Sequence, residues 1–218
     1  MTFKPLLSSI TKKLFMAITG ACFVLFVTVH GIMNFVSIFS AETYLGICDF
    51  LGANWYAVIA TVIIAGFAGI HLLTALILSI ENFIARGRVR YRKTERPKGV
   101  EWSSRNMIFL GLFILFGLVL HLVDFWSKMQ LAELLGREPA NGIEQIKFIF
   151  SNNYFSVMYL LWLVTLWFHL THGIWSMLQS VGWNGERINV VWQVISYVAA
   201  TIIVLMFASV VVYYWLIV

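Results

Sequence analysis

Five uncharged stretches dominate this 218-residue chain: residues 14–41, 50–80, 106–123, 148–185 and 188–218, with His counted as neutral. None is shorter than 18 residues, and about 20 helical residues cross the hydrocarbon core of a bilayer. In lipid, backbone N–H and C=O groups must be satisfied without water, and a helix does this within a single segment. The runs therefore predict an all-α integral membrane bundle, with helices at about 14–39, 54–84, 104–126, 153–181 and 188–216. A composition of 61% apolar and 11% charged residues, with a mean hydropathy of +0.86, excludes an ordinary soluble domain. One transmembrane domain over residues 1–218 is expected, with too little chain outside it for a second catalytic domain. The first run is expected to be a retained helix, not a signal peptide. It is too long, it lacks a clear small-residue cleavage site, and it contains His30.

Cations set the expected orientation. Lys4, Lys12 and Lys13 precede the first run, and Arg187 lies between the fourth and fifth. Arg86, Arg88, Arg90, Arg92, Lys93, Arg96, Lys98 and Arg105 lie between the second and third. Twelve of the fifteen cations thus fall on one side, against Lys128, Arg137 and Lys147 on the other. The positive-inside rule places the N-terminus in the cytoplasm and the C-terminus, ending Tyr213-Tyr214-Trp215, outside. The basic segment ARGRVRYRKTERPKG suits topology, anionic lipid headgroups or an acidic partner, and juxtamembrane cations call for no nucleic acid. The outer connection from Asp124 to Asn152 contains AELL and IEQIKFIF, which predict short amphipathic helices at the surface and a cap over an outward-opening site.

Four of the five runs carry a histidine: His30, His71, His121 and His169, with His172 one turn past the last. Ionisable groups inside a membrane are costly and mark functional sites. Neutral imidazole is also a good iron ligand, and four histidines on four helices make two bis-histidine pairs. Depth suggests how they pair. His121 is three residues from Asp124, and His30 lies ten to twelve residues inward from Ser40 and Glu42. His71 is 17 residues from Asn54, and His169 is 16 from Asn153. At about 1.5 Å per residue, His71 and His169 lie roughly 10 Å or more deeper. His30 is thus expected to meet His121 near the outer face, and His71 to meet His169 nearer the cytoplasm. Counting from the cytoplasmic charges gives no such separation, but the second and fourth runs are long enough to project past the inner surface. Cys22 and Cys48 form neither C-x-x-C nor C-x-x-C-H, so any haem would be held non-covalently, as b-type. The bland alternative is that the histidines hydrogen-bond between helices, as polar residues do in membrane bundles. His172, with His169 already on that face, suits a contact to a haem propionate or quinone better than ligation. Gly20, Gly31, Gly66, Gly69, Gly111, Gly117 and Gly173 lie on the histidine-bearing helices and suit either a flanking macrocycle or plain helix packing.

In order along the chain come Thr19-Gly20 before H-G-I-M-N at His30, His71 followed by ENFIARGRVRY, Ser103-Ser104-Arg105 with H-L-V-D-F from His121, and H-L-T-H-G-I-W from His169. On these motifs the chain resembles, over nearly its whole length, the five-helix diheme cytochrome b membrane subunit of succinate:quinone oxidoreductases, the succinate dehydrogenases and quinol:fumarate reductases. The resemblance implies two haem b groups, a proximal one held by His71 and His169 and a distal one held by His30 and His121. It implies a bacterial inner (cytoplasmic) membrane, and flavoprotein and iron–sulfur partner subunits at the cytoplasmic face. The dicarboxylate chemistry would reside on those partners, since this chain has neither a GxGxxG fingerprint nor a cysteine cluster. It further implies a quinone, taken as menaquinone, bound near the distal haem. Glu42, Asp49 and Asp124 are candidate acids there, with Asn34 as a hydrogen-bonding partner, because quinone chemistry moves protons with electrons. Some members carry a Glu two residues before the fourth ligand, where this chain has Trp167. A haem-free proton or metal transporter using a histidine relay is the alternative from another class, and it would be expected to add intramembrane carboxylates at mid-depth. A purely structural anchor would carry no cofactor.

Overall fold

The computed structural model describes residues 8–86, 102–180, 182–183 and 185–217. Most of the basic segment between the second and third spans lies outside the described residues. Five helices are long and apolar enough to cross a membrane: α1 (Ser9–Val36), α3 (Trp55–Arg86), α5 (Met107–His121) continued by a π-helical turn (Leu122–Trp126), α8 (Asn153–Ser180) and α9 (Glu186–Ile217). The protein is an all-helical, multi-pass membrane protein, and no strand occurs among the described residues. A single turn, α4 (Trp102–Arg105), precedes α5, and α2 (Ala41–Leu51), α6 (Gln130–Leu134) and α7 (Gly142–Phe150) lie in the connections at the opposite end.

Local chemistry sets the boundaries. Ser8 caps α1 by accepting from the Thr11 N–H, Ser40 caps α2 by accepting from the Thr43 N–H, and Asn141 caps α7 through the Ile143 and Glu144 N–H groups. At the end of α8 the Gly182 N–H bonds the Gln179 carbonyl and the Trp183 N–H bonds that of Leu178. Gly182 has φ +94°, the left-handed geometry of a Schellman stop. The first helix begins at Ser9, earlier than its uncharged run, because Lys12 need not reach water. Lys12 is 3% exposed and its ammonium sits 2.5 Å from both carboxylate oxygens of Glu81 on α3. The AELL and IEQIKFIF segments form α6 and α7. Helix α2 has no counterpart in the uncharged runs, since Glu42 and Asp49 interrupt it.

Packing is uneven. Helices α1, α8 and α9 pack on one another, α3 makes its extensive backbone contacts with α1, and α5 makes its own with α8 and the short α4. Only 6% of the most apolar stretch of α3 is buried, against 28% for α8 and for α9. The exposed side chains of α3 (Ile59, Val62, Ile63, Ile70 and Leu73 among them) are what a lipid-facing surface requires. The main core runs from Tyr44 on α2 through Ile143, Ile146, Ile149 and Phe150 of α7 to Tyr159, Leu163, Val210, Val211 and Tyr214. It fastens the short helices α2 and α7 onto α8 and α9.

Candidate functional site

The helices bring four histidines into two facing pairs. The rings of His30 (α1) and His121 (α5) have centroids 5.8 Å apart at 84°, and those of His71 (α3) and His169 (α8) lie 6.3 Å apart at 62°. The depth count pairs the same residues. Thr19 touches His71, and eleven residues further along the same face of α1 His30 meets His121, which puts the pairs roughly 16 Å apart along that helix.

Aromatic rings wall the His30–His121 pair, the outer one by the orientation expected from charge. Phe26 stacks on His30 at 5.4 Å, Phe207 of α9 tilts against it at 5.8 Å, and Phe125 and Trp162 lie 5.2 and 5.9 Å from His121. Glycine makes two of these approaches possible. A Cβ on Gly117 would overlap the Trp162 indole, whose N–H reaches the Ile114 carbonyl, and a Cβ on Gly31 would meet Phe207 at 3.1 Å. The inner pair is more polar. Thr19 Oγ1 lies 2.9 Å from His71 Nδ1, the edge of Phe23 packs on the same ring at 5.5 Å, and His169 Nδ1 is buried without a partner. Gly20, Gly66, Gly69, Gly111 and Gly173 have open space where a side chain would be, whereas Gly31 and Gly117 are packing positions.

Other expected site residues take varied places. His172 lies one turn beyond His169, its ring 5.9 Å from Trp175. Trp167 turns to α9, donating to Thr201 Oγ1 at 3.0 Å, a contact between the packed helices α8 and α9. Asn34 donates to the His30 carbonyl one turn back on its own helix at 2.8 Å. Glu42 and Asp49 are exposed on α2.

Asp124 differs. The π-helical turn after His121, closed by the Ser127 N–H on the Leu122 carbonyl, adds a residue to the helix and re-aims the side chains beyond it. Asp124 is half-buried, its Oδ2 accepts from the Tyr159 hydroxyl at 2.8 Å, and its carbonyl accepts from the Gln145 amide at 2.7 Å. It borders a groove of about 290 Å³ with Val123, Lys128, Gln145, Phe148 and Asn152. Tyr159 also lines a second, more apolar groove of about 370 Å³ between α5 and α8, with Phe116, Leu120, Trp162 and Thr165. Tyr159, Gln145 and Trp162 carry no motif. The one signal available for them is that Trp162 and His169 are seven residues apart, two turns on one face of α8.

Each pair presents two imidazoles. Among the described residues no three His, Cys, Asp or Glu side chains gather as a metal site. Comparison of the chain with protein-family models, with curated proteins and with solved structures gives no match.

Proposed function

We propose that the chain is the diheme cytochrome b membrane subunit of a succinate:quinone oxidoreductase in a bacterial inner membrane. It would anchor a flavoprotein subunit and an iron–sulfur subunit at the cytoplasmic face and carry electrons between them and a quinone. The observation that carries the reading is the pairing of His30 with His121 and of His71 with His169 on four different helices at two depths. Imidazole nitrogens bind first-row metals at about 2 Å, so two imidazoles sharing one metal would stand up to roughly 6 Å apart centre to centre. The observed 5.8 and 6.3 Å fit that spacing. Open space beside Gly20 and Gly173, on the helices that bring Thr19 and His169 to the inner pair, leaves room for a planar group. His71 and His169 would hold the inner haem b and His30 and His121 the outer one, both non-covalently. An iron held by both imidazoles of a pair would supply one-electron transfer.

The chain's own residues then divide the work. Phe26, Phe125, Trp162 and Phe207 exclude water from the outer pair. Asp124 is the favoured of the candidate acids, because it follows His121 by one turn, borders a groove and shares a hydrogen bond with Tyr159. It would exchange protons with a quinone headgroup, taken as menaquinone, whose apolar tail suits the groove between α5 and α8. His172 is placed to contact a propionate or the quinone.

The test is a dithionite-reduced minus oxidised spectrum of the purified complex, with pyridine haemochrome quantitation. Two b-type haems per chain are expected. A well-folded chain, copurified with its partner subunits and free of haem, would overturn the proposal and favour a histidine relay or a plain anchor.

A further inference from the structure

The four histidines are not equivalently held, and the difference lies in one hydroxyl. Thr19 is 2% exposed, deep in the interface of α1 with α3. Its Oγ1 lies 2.7 Å from the Phe15 carbonyl, four residues back on its own helix, and 2.9 Å from His71 Nδ1. A hydroxyl has one proton to donate and two lone pairs to accept with. The carbonyl is acceptor only, so it takes the Thr19 proton. Thr19 can then meet His71 Nδ1 only as an acceptor, and Nδ1 must carry the hydrogen. Which imidazole nitrogen is left bare is decided by what the other one bonds. The relay from His71 through Thr19 to Phe15 therefore leaves Nε2 of His71 with a free lone pair. On the facing ring, by contrast, His169 Nδ1 is buried without a partner.

We infer that Thr19 is a positioning residue for the inner iron site, fixing the His71 tautomer and lowering the reduction potential of that site alone. The inference rests on the electron-carrier reading above. A ring N–H held by an acceptor makes the other nitrogen a stronger donor, which favours the oxidised metal. Thr19 reaches this position because threonine back-bonds to the carbonyl one turn earlier while keeping an acceptor for a neighbouring helix.

The experiment is a spectroelectrochemical titration of both haems in the purified complex, unmutated and with Thr19→Val or Thr19→Ser. Valine keeps the shape and removes the hydroxyl, and serine keeps the hydroxyl. Thr19→Val should raise one midpoint and leave the other where it was, while Thr19→Ser should stay close to the unmutated protein. Loss of one haem from Thr19→Val but not from Thr19→Ser would support the same role. Equal behaviour of the two variants, whether unchanged or equally damaged, would overturn the inference. Absence of haem from the unmutated complex would overturn the electron-carrier reading and this inference with it, and the haem count separates that case from the others.

Discussion

The two histidine pairs are built by different means. The outer pair sits where helices are pressed together: Trp162 lies on Gly117, Phe207 lies against Gly31, and the core of α7 closes over the end of α8 and α9. The inner pair sits where α3 lies along α1, with little of the α3 apolar stretch fully buried. Polar contacts help tie the two helices, Lys12 to Glu81 near the start of α1 and Thr19 to His71 seven residues further on. In lipid, apolar surface gives no net drive to associate, so a helix is held either by close packing or by polar bonds with no better partner nearby. The outer layer relies on the first means, and the inner layer, packed around Leu170, Ile174, Ala200 and Ile203, adds the second.

Substitution of the histidines themselves should break the comparison most severely. On the proposed diheme reading, His71→Ala or His169→Ala should remove the inner haem, and His30→Ala or His121→Ala the outer one. Haemochrome would fall from two to one per chain, with the surviving absorption band differing between the two sets. Loss of both haems from every variant would show that the layers are not independent.

Next in size is Gly117→Val, which forces side-chain atoms into the Trp162 indole. Overpacking of this kind costs about 1–3 kcal/mol. Thermal unfolding in detergent should shift down, with the outer haem spectrum perturbed and the inner one unchanged. Lys12→Ala attacks the other layer. Removing one partner of a fully buried pair costs about 3–5 kcal/mol. Glu81 is 40% exposed and keeps water, so a loss of about 1–2 kcal/mol is expected, felt at α3 and the inner haem. Limited proteolysis after α3, compared with the unmutated protein, would read it out.

The smallest effect concerns the outer cap. Burial pushes the Cys48 thiol up from its ordinary range, only partly offset by its hydrogen bond with Tyr44, while nearby Asp49 adds to the rise. A raised pKa leaves less thiolate at a given pH, and thiolate is the reactive form. In a Cys22→Ser background, alkylation of Cys48 near pH 8 should be slower than that of a free thiol. Its pH–rate profile should be displaced to higher pH, and rates matching a free thiol would show that the cap over the outer layer opens readily.

Much of this molecule is legible along the chain. Uncharged runs mark the five spans, and a histidine in each of four of them stands out because ionisable groups are scarce in lipid. Counting residues from the outer loops pairs His30 with His121 and His71 with His169 as their rings face, because helical rise is constant. The motifs of the cap are also visible, AELL and IEQIKFIF becoming α6 and α7. Other features are not. Helix α2 hides behind its own charges, and the bond from Tyr159 to Asp124 depends on a π-helical turn that no residue announces. Glu42 and Asp49 look as acidic as Asp124 in sequence, yet only Asp124 is turned into a groove.

Hydropathy and charge order are properties of the chain, so they settle the number of spans and their sequence before any packing occurs. Which faces meet is another matter. Where nearly every side chain is apolar and the solvent is apolar too, no periodicity marks the buried side. The loose seat of α3, the glycine contacts at Gly31 and Gly117, and the Thr19 hydroxyl on His71 arise only when the helices are set beside one another. Those contacts make two chemically alike histidine pairs into two different sites.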